Sequence, residues 1–240
     1  MIKNKIKHAV KSFFIKILKI LPPVIQIFPL EALRTNKINI NNVQILYQPL
    51  SELSDRRWKA FERNGKEENT FNWINNFLDN KVFFDIGANI GVFSIYSALK
   101  KKAKVYSFEP EPNSFIELFN TSELNNCQIT PMLIPLDNTN NVNFLNLKNK
   151  FVPGKSGHKF GIQDSNKKNF GISGFKLDDI VFEKKIPLPD YIKIDVDGLE
   201  KNVLQGMKKI LEHRNLRSIL IEFSNKEEID FYKVDLKKNR

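Results

Sequence analysis

Cysteine is nearly missing. Cys127 stands alone in 240 residues, so no disulfide forms within the chain, no CxxC pair is present to hold a metal, and a reducing, cytoplasmic compartment is expected. Other motifs are absent too. No G-x-G-x-x-G dinucleotide turn and no GK[ST] phosphate loop occur, which removes two of the commonest nucleotide-binding signatures. There is no internal repeat. No apolar run is long and uninterrupted enough to read as a spanning helix, and no small-residue cleavage site follows the first apolar segment.

Acidic residues are in short supply. Twenty-seven Asp and Glu face 38 Lys and Arg, a formal charge of +11. Such a surplus attracts nucleic acid, anionic lipid or acidic ligands, although a bias towards Lys, Asn and Ile also follows from genome composition. Part of the charge lies in "MIKNKIKHAVKSFFIKILKILPP". There Ile6, Val10, Phe13, Phe14, Ile17, Ile20 and Leu21 share one helical arc, the lysines fall mostly outside it, and Pro22 and Pro23 stop the helix. Residues 3–21 are therefore expected either to touch the inner face of a membrane peripherally or to dock on the chain's own domain, the second being favoured.

What is present reads as one globular domain behind an extension, divided at 1–65 and 66–240. Short strands are expected near "KINI" and "VQILYQPL". "KEENTFNWINNFLDN" reads as a helix with Phe71, Ile74, Phe77 and Leu78 inward, and Trp58 and Trp73 as packing residues. From Lys81 strands and helices alternate: "KVFFDI", a helix over 91–100, "KVYSFE", a helix over 113–124, "ITPMLIPL", "NVNFLNL", "DYIKIDV", a helix over about 198–212, and "SILIEF". This order predicts an α/β fold, a mostly parallel sheet with helices on both faces. Residues 148–173, polar and with four glycines, read as a long loop that closes over a ligand.

"KVFFDIGANIGVFSIYSA" passes from strand through glycine-spaced turn to helix. In such a sheet ligands sit beyond the carboxyl ends of the strands. Gly87 permits a tight turn and a close approach, Asn89 tolerates unusual dihedrals, and Gly91 lets the helix start tightly packed. Asp85 at the hinge would repel a pyrophosphate and suits a cationic, amine-bearing ligand. S-adenosylmethionine carries both a sulfonium and an ammonium group. Glu109 ends the next strand, placed to accept hydrogen bonds from both hydroxyls of a ribose.

"FFDIGANIGVFSIYSA", "VYSFEPEPNSFIELF", "GFKLDDI" and "DYIKIDVDGLEKNVLQGMKKIL" together resemble the FkbM family of S-adenosylmethionine-dependent methyltransferases, over about residues 67–224. The resemblance implies the Rossmann-like class I methyltransferase sheet of seven strands. It also implies transfer to hydroxyl oxygens of a small-molecule or glycan acceptor, such as a saccharide or secondary metabolite. By the same resemblance Asp85, Gly87, Asn89 and Gly91 hold the methionine half of the cofactor, Glu109 the ribose, and Asp137 lies near the adenine.

On the strand "DYIKIDV", alternation puts Ile192, Ile194 and Val196 on one face and Tyr191, Lys193 and Asp195 on the other. A Lys and an Asp on a central strand must be paired to be buried. Asp195 is the expected group for orienting or deprotonating an acceptor hydroxyl, with Lys193 beside it, Glu222 sharing the work and His158 as a base from the glycine-rich loop. Asp197 and Glu200 read chiefly as caps of the following helix. Clustered carboxylates of this kind also admit Mg2+. Only 17 residues follow Phe223, against the roughly 40 that a further helix and closing hairpin require, so the C-terminal strands are expected to be truncated. Two alternatives stand beside the leading one. An RNA methyltransferase would suit the charge but lacks an NPPY motif, a catalytic cysteine motif and basic–aromatic interleaving. A non-catalytic binding protein on a methyltransferase core is the other.

Overall fold

The computed structural model describes residues 35–63, 67–148, 152–184 and 186–222. The amphipathic segment expected over 3–21 and the residues after 222 lie outside them.

The described chain begins with a hairpin. β1 (Asn36–Ile40) and β2 (Val43–Tyr47) pair antiparallel across Asn41 and Asn42, whose φ values of 47° and 64° suit the two-residue turn that asparagine favours. α1 (Glu52–Arg63) follows, entered at Ser51, whose Oγ accepts from the Ser54 amide at 3.0 Å. α2 (Glu68–Asn75) buries Phe71 and Ile74, while Leu78, expected inward, lies beyond its end and is half exposed.

Strands and helices then alternate: β3 (Val82–Ile86), α3 (Val92–Lys101), β4 (Lys104–Phe108), α4 (Pro112–Leu124) and β5 (Ile129–Met132). After an antiparallel excursion, β6 (Asn141–Asn146), β7 (Lys159–Gly161) and β8 (Asn169–Gly174), the pattern resumes with α5 (Leu177–Lys184), β9 (Tyr191–Ile194), α6 (Glu200–Gln205), α7 (Lys208–Leu211) and β10 (Ser218–Ile221). β3, β4, β5, β9 and β10 form one parallel sheet in the order β10-β9-β3-β4-β5, a doubly wound order with its switch point between β3 and β9.

Period-two alternation builds two cores on the sheet's faces. Phe83, Val105 and Tyr191 face one, with the hairpin, α1 and α2 supplying Ile45, Trp58 and Ile74. Phe84, Tyr106, Ile192 and Ile194 face the other, with Leu177 and Val203. Residues 38–61 thus share a core with the α/β domain.

Two expectations change. The 148–173 loop contains β7 and β8, which pair with β6; its glycines and lysines hid two short strands. The helix expected over 198–212 breaks at Gly206, where a Cβ would lie 2.2 Å from the Asp137 carbonyl oxygen. Among the described residues β10 has β9 as its sheet neighbour, and no described helix is long and apolar enough to cross a membrane.

Candidate active site

A cavity of about 250 Å³ crosses the carboxyl ends of β3, β4, β9 and β10. Of the expected site residues, Gly87, Asn89, Glu109, His158, Asp195 and Glu222 line it. Asp85, Gly91, Asp137 and Lys193 are not on its wall.

The turn after β3 explains itself from the backbone. Gly87 has φ +79°, and a Cβ there would meet the Asp195 carbonyl oxygen at 1.8 Å. Glycine is required because two strand ends touch at this point. Gly91, φ +83°, packs instead against the Leu118 side chain of α4. Asn89, at φ 52°, donates its amide to Glu109 Oε2 at 2.7 Å and its side-chain Nδ2 to the Lys155 carbonyl at 3.0 Å.

Glu109 is nearly buried on the wall. Its Oε1 accepts from the Glu111 amide at 2.8 Å. Burial pushes its carboxyl up to about 8, against the pull of the two amide donors and of the Arg57 charge. Both oxygens retain acceptor capacity for a diol.

Beneath the wall runs a polar row. Register places Asp85 beside Ser107 on β4 and Lys193 on β9, all on one face. Asp85 is fully buried. Its Oδ2 accepts from Ser94 of α3 at 2.5 Å, and Ser94 Oγ lies 2.8 Å from Ser107 Oγ. Oδ1 has no hydrogen-bond partner among the described residues. Burial raises the Asp85 carboxyl, and the neighbouring Lys193 charge opposes this. Lys193, equally buried, pairs through Nζ with Asp195 Oδ2 at 2.9 Å and stands 5.0 Å from the Phe93 ring centroid. Asp85 thus lies behind the cavity wall, on the face of β3 that it shares with Phe83.

Asp195 and Glu222 line the cavity on the β9–β10 side. The Glu222 carboxyl is raised, first by burial and then by the Asp195 charge, with Lys193 opposing. Asp137 turns away: its Oδ1 accepts from Asn202 at 2.8 Å, and Ile134, Pro135 and Leu136 line the cavity in its place.

The roof is the segment 152–158 with the small sheet above it. Arg57 donates to the Gly154 carbonyl at 2.9 Å and Ser51 to that of Pro153 at 3.2 Å. The Gly154 amide donates to Ser114 Oγ at 3.3 Å and the Gly157 amide to Asp197 Oδ2 at 2.5 Å. Asp197, expected as a helix cap, therefore holds the roof, while Glu200 takes the Gly198 amide at 3.0 Å. Leu145 and Phe160 add an apolar surface, facing Leu199. His158 Nδ1 accepts from the Lys148 amide at 3.4 Å, which assigns the proton of the neutral ring to Nε2. Burial lowers the imidazole's basicity, against the charges of Glu111 and Asp197. Its Nε2 is buried without a hydrogen-bond partner among the described residues.

Sequence reasoning missed Arg57, Phe61 and Glu67, which line the cavity from α1 and the entry to α2. The spacing of Trp58 and Phe61 was the available signal for α1. Among the described residues no His, Cys, Asp and Glu cluster could hold a metal ion, so the Mg2+ admitted above finds no ligand set there.

A glycine turn, an acid on the next strand and a roofed cavity at the switch point are the features that a nucleoside-cofactor site in a doubly wound α/β domain requires. The methyltransferase FkbM domain matches residues 85–237, and the chain belongs to that family. Hexuronic acid methyltransferase AglP of Haloferax volcanii is 25% identical over 158 residues, covering 66% of this chain and 63% of that protein. The FkbM methyltransferase structure from Methylobacillus flagellatus superposes with a TM-score of 0.48 at 18% identity, over 68% of this chain and 38% of that one. A precorrin-6y C5,15-methyltransferase from Geobacter metallireducens superposes with a TM-score of 0.43 at 13% identity, over 72% and 69%. The chain therefore spans under two thirds of the curated relative's length.

Proposed function

We propose that the protein transfers a methyl group from S-adenosylmethionine to a hydroxyl oxygen of a saccharide or related metabolite. The observation that carries the reading is one roofed cavity with a ribose-type acid, Glu109, on one side of the β3 turn and the Asp195–Glu222 pair on the other. The residues suit the cofactor. Glu109 would accept from the ribose hydroxyls, the backbone about Gly87 and Asn89 would lie along the methionine half, and Ile134, Leu136, Leu145 and Phe160 would enclose the adenine. When bound, S-adenosylmethionine supplies an electrophilic methyl carbon and leaves as the uncharged thioether.

The chain's own task is to place a hydroxyl and take its proton. Asp195 is oriented by Lys193 and carries that role. Burial and the Asp195 charge both raise the Glu222 carboxyl, which stands beside Asp195 on that wall. Asp85 and Ser94 act at one remove, by fixing Lys193 and the helix start. His158 Nε2 donates to the ligand beneath the roof. The relative named for hexuronic acid supports a sugar acceptor. The acidic β9–β10 wall gives no support to an RNA phosphate backbone.

The test is transfer of a labelled methyl group to simple glycosides by the wild-type chain and by Asp195→Asn. Transfer that falls in the variant while S-adenosylhomocysteine affinity holds supports the reading, and equal turnover removes Asp195 from its role.

A further inference from the structure

The matched family region begins at residue 85, yet Phe61 and Glu67 line the same cavity. They do so on the Asp195–Glu222 side, opposite the strands that carry Glu109 and Ile134. Phe61 lies edge-on to Phe93, with ring centroids 5.7 Å apart and planes at 76°. The Glu67 charge is close enough to raise the Glu222 carboxyl, together with that of Asp195. This wall is thus two aromatic rings bordered by three carboxyl groups. Behind it, off the cavity wall, the Lys193 ammonium is engaged by Asp195 at 2.9 Å. Among the described residues the cations lining the cavity are Arg57 and Lys155, whose charges bear on Glu109 and His158.

Resting on the methyl-transfer reading above, we propose that Phe61 and Glu67 are specificity-determining residues, and that the wall they complete takes a sugar without an anionic substituent. The apolar C–H face of a hexose can lie on the Phe61–Phe93 pair. Its hydroxyls can donate to Glu67, Asp195 and Glu222, which as carboxyl groups are rich in acceptors. A uronate presents its charge to the same groups at contact distance, in a site partly shielded from water where repulsion is strengthened. The chain's preference would then differ from that of the relative named for hexuronic acid.

The experiment titrates methyl glucoside, methyl glucosaminide and methyl glucuronide onto the full chain saturated with S-adenosylhomocysteine, followed by saturation-transfer NMR. The glucoside and glucosaminide are expected to bind about tenfold or more tightly than the glucuronide. Glu67→Lys is expected to close most of that gap and Phe61→Ala to weaken all three, with S-adenosylhomocysteine affinity unchanged in both. Glu67→Gln gives the same direction with a smaller amplitude should the lysine variant not fold. Equal or tighter binding of the glucuronide, an unchanged ratio in both Glu67 variants, or no binding of any glycoside overturns the proposal. Failure of the methyl-transfer reading shows separately, as absence of S-adenosylhomocysteine binding.

Discussion

Lys193 illustrates what single residues contribute here. Its ammonium is buried beside Asp85 and Asp195, and an unpaired charge at that depth would be untenable. The sequence showed that pairing was needed, because a Lys and an Asp two apart on a central strand must share a face. It did not show that Asp85 also belongs to the row, since that follows from the register of three strands far apart in sequence. For the reaction, Asp195→Asn is predicted to lower turnover by about 10²-fold or more with S-adenosylhomocysteine affinity unchanged, measured by steady-state kinetics beside calorimetry. Glu109 yields a second prediction. Its folded value of about 8 leaves it largely protonated at pH 7, and ribose hydroxyls donating to it favour the ionised form. Cofactor binding at pH 7 should therefore release a proton, and affinity should rise as pH climbs towards 8. Calorimetry in two buffers of different ionisation enthalpy reads this directly; identical heats in both contradict it.

Elements were legible where their periodicity was strong. β3, α3, β4, α4 and β9 all lie close to their expected positions because both faces of the sheet are buried and the helices between them are amphipathic. Of the small sheet only β6 was legible, as "NVNFLNL"; β7 has three residues, and both β7 and β8 sit in a polar, glycine-bearing stretch. α1 was missed because most of its residues are charged; its buried apolar residues are Trp58 and Phe61. α1 is held by Glu117 of α4, fully buried, which accepts from Trp58 Nε1 and from the Leu50 amide, each at 3.0 Å. Burial pushes Glu117 up to about 7. Its neutral form is favoured in the folded chain, so this contribution is present below the unfolded value near 4.5 and is lost as pH rises through about 7. Glu109 acts with the same sign. The melting temperature of the ligand-free chain should fall from pH 5 to pH 8, and Glu117→Gln should flatten that slope. A melting temperature that rises over this range would contradict both assignments. At the β3 turn, Gly87→Ala combines a left-handed φ with a backbone collision. It should cost about 3 kcal/mol or more, a melting temperature lower by about 6 °C or more. A melt within a degree of wild type would show that the two strand ends do not meet.

At the scale of the whole molecule, five parallel strands gather the carboxyl ends on which the site is built. The remaining segments close it. The hairpin and α1 share a core with the sheet, and Arg57 and Ser51 tie the roof to them. Asn89 and Asp197 fasten the same roof to the turn after β3 and to the end of β9. A ligand lying in the cavity would touch α1, the turn after β3, the roof and the end of β9. The family and the cofactor turn were readable from four motifs in order. Of the wall proposed for the acceptor, Asp195 and Glu222 were readable from the strand ends; Phe61 and Glu67 were not, because they lie outside those motifs, on α1 and at the entry to α2. Titration of S-adenosylhomocysteine into the full chain by isothermal calorimetry tests this centre most directly. The account predicts saturable binding to one site that Glu109→Ala abolishes. Absence of binding to the wild type, or equal affinity in the variant, would contradict it.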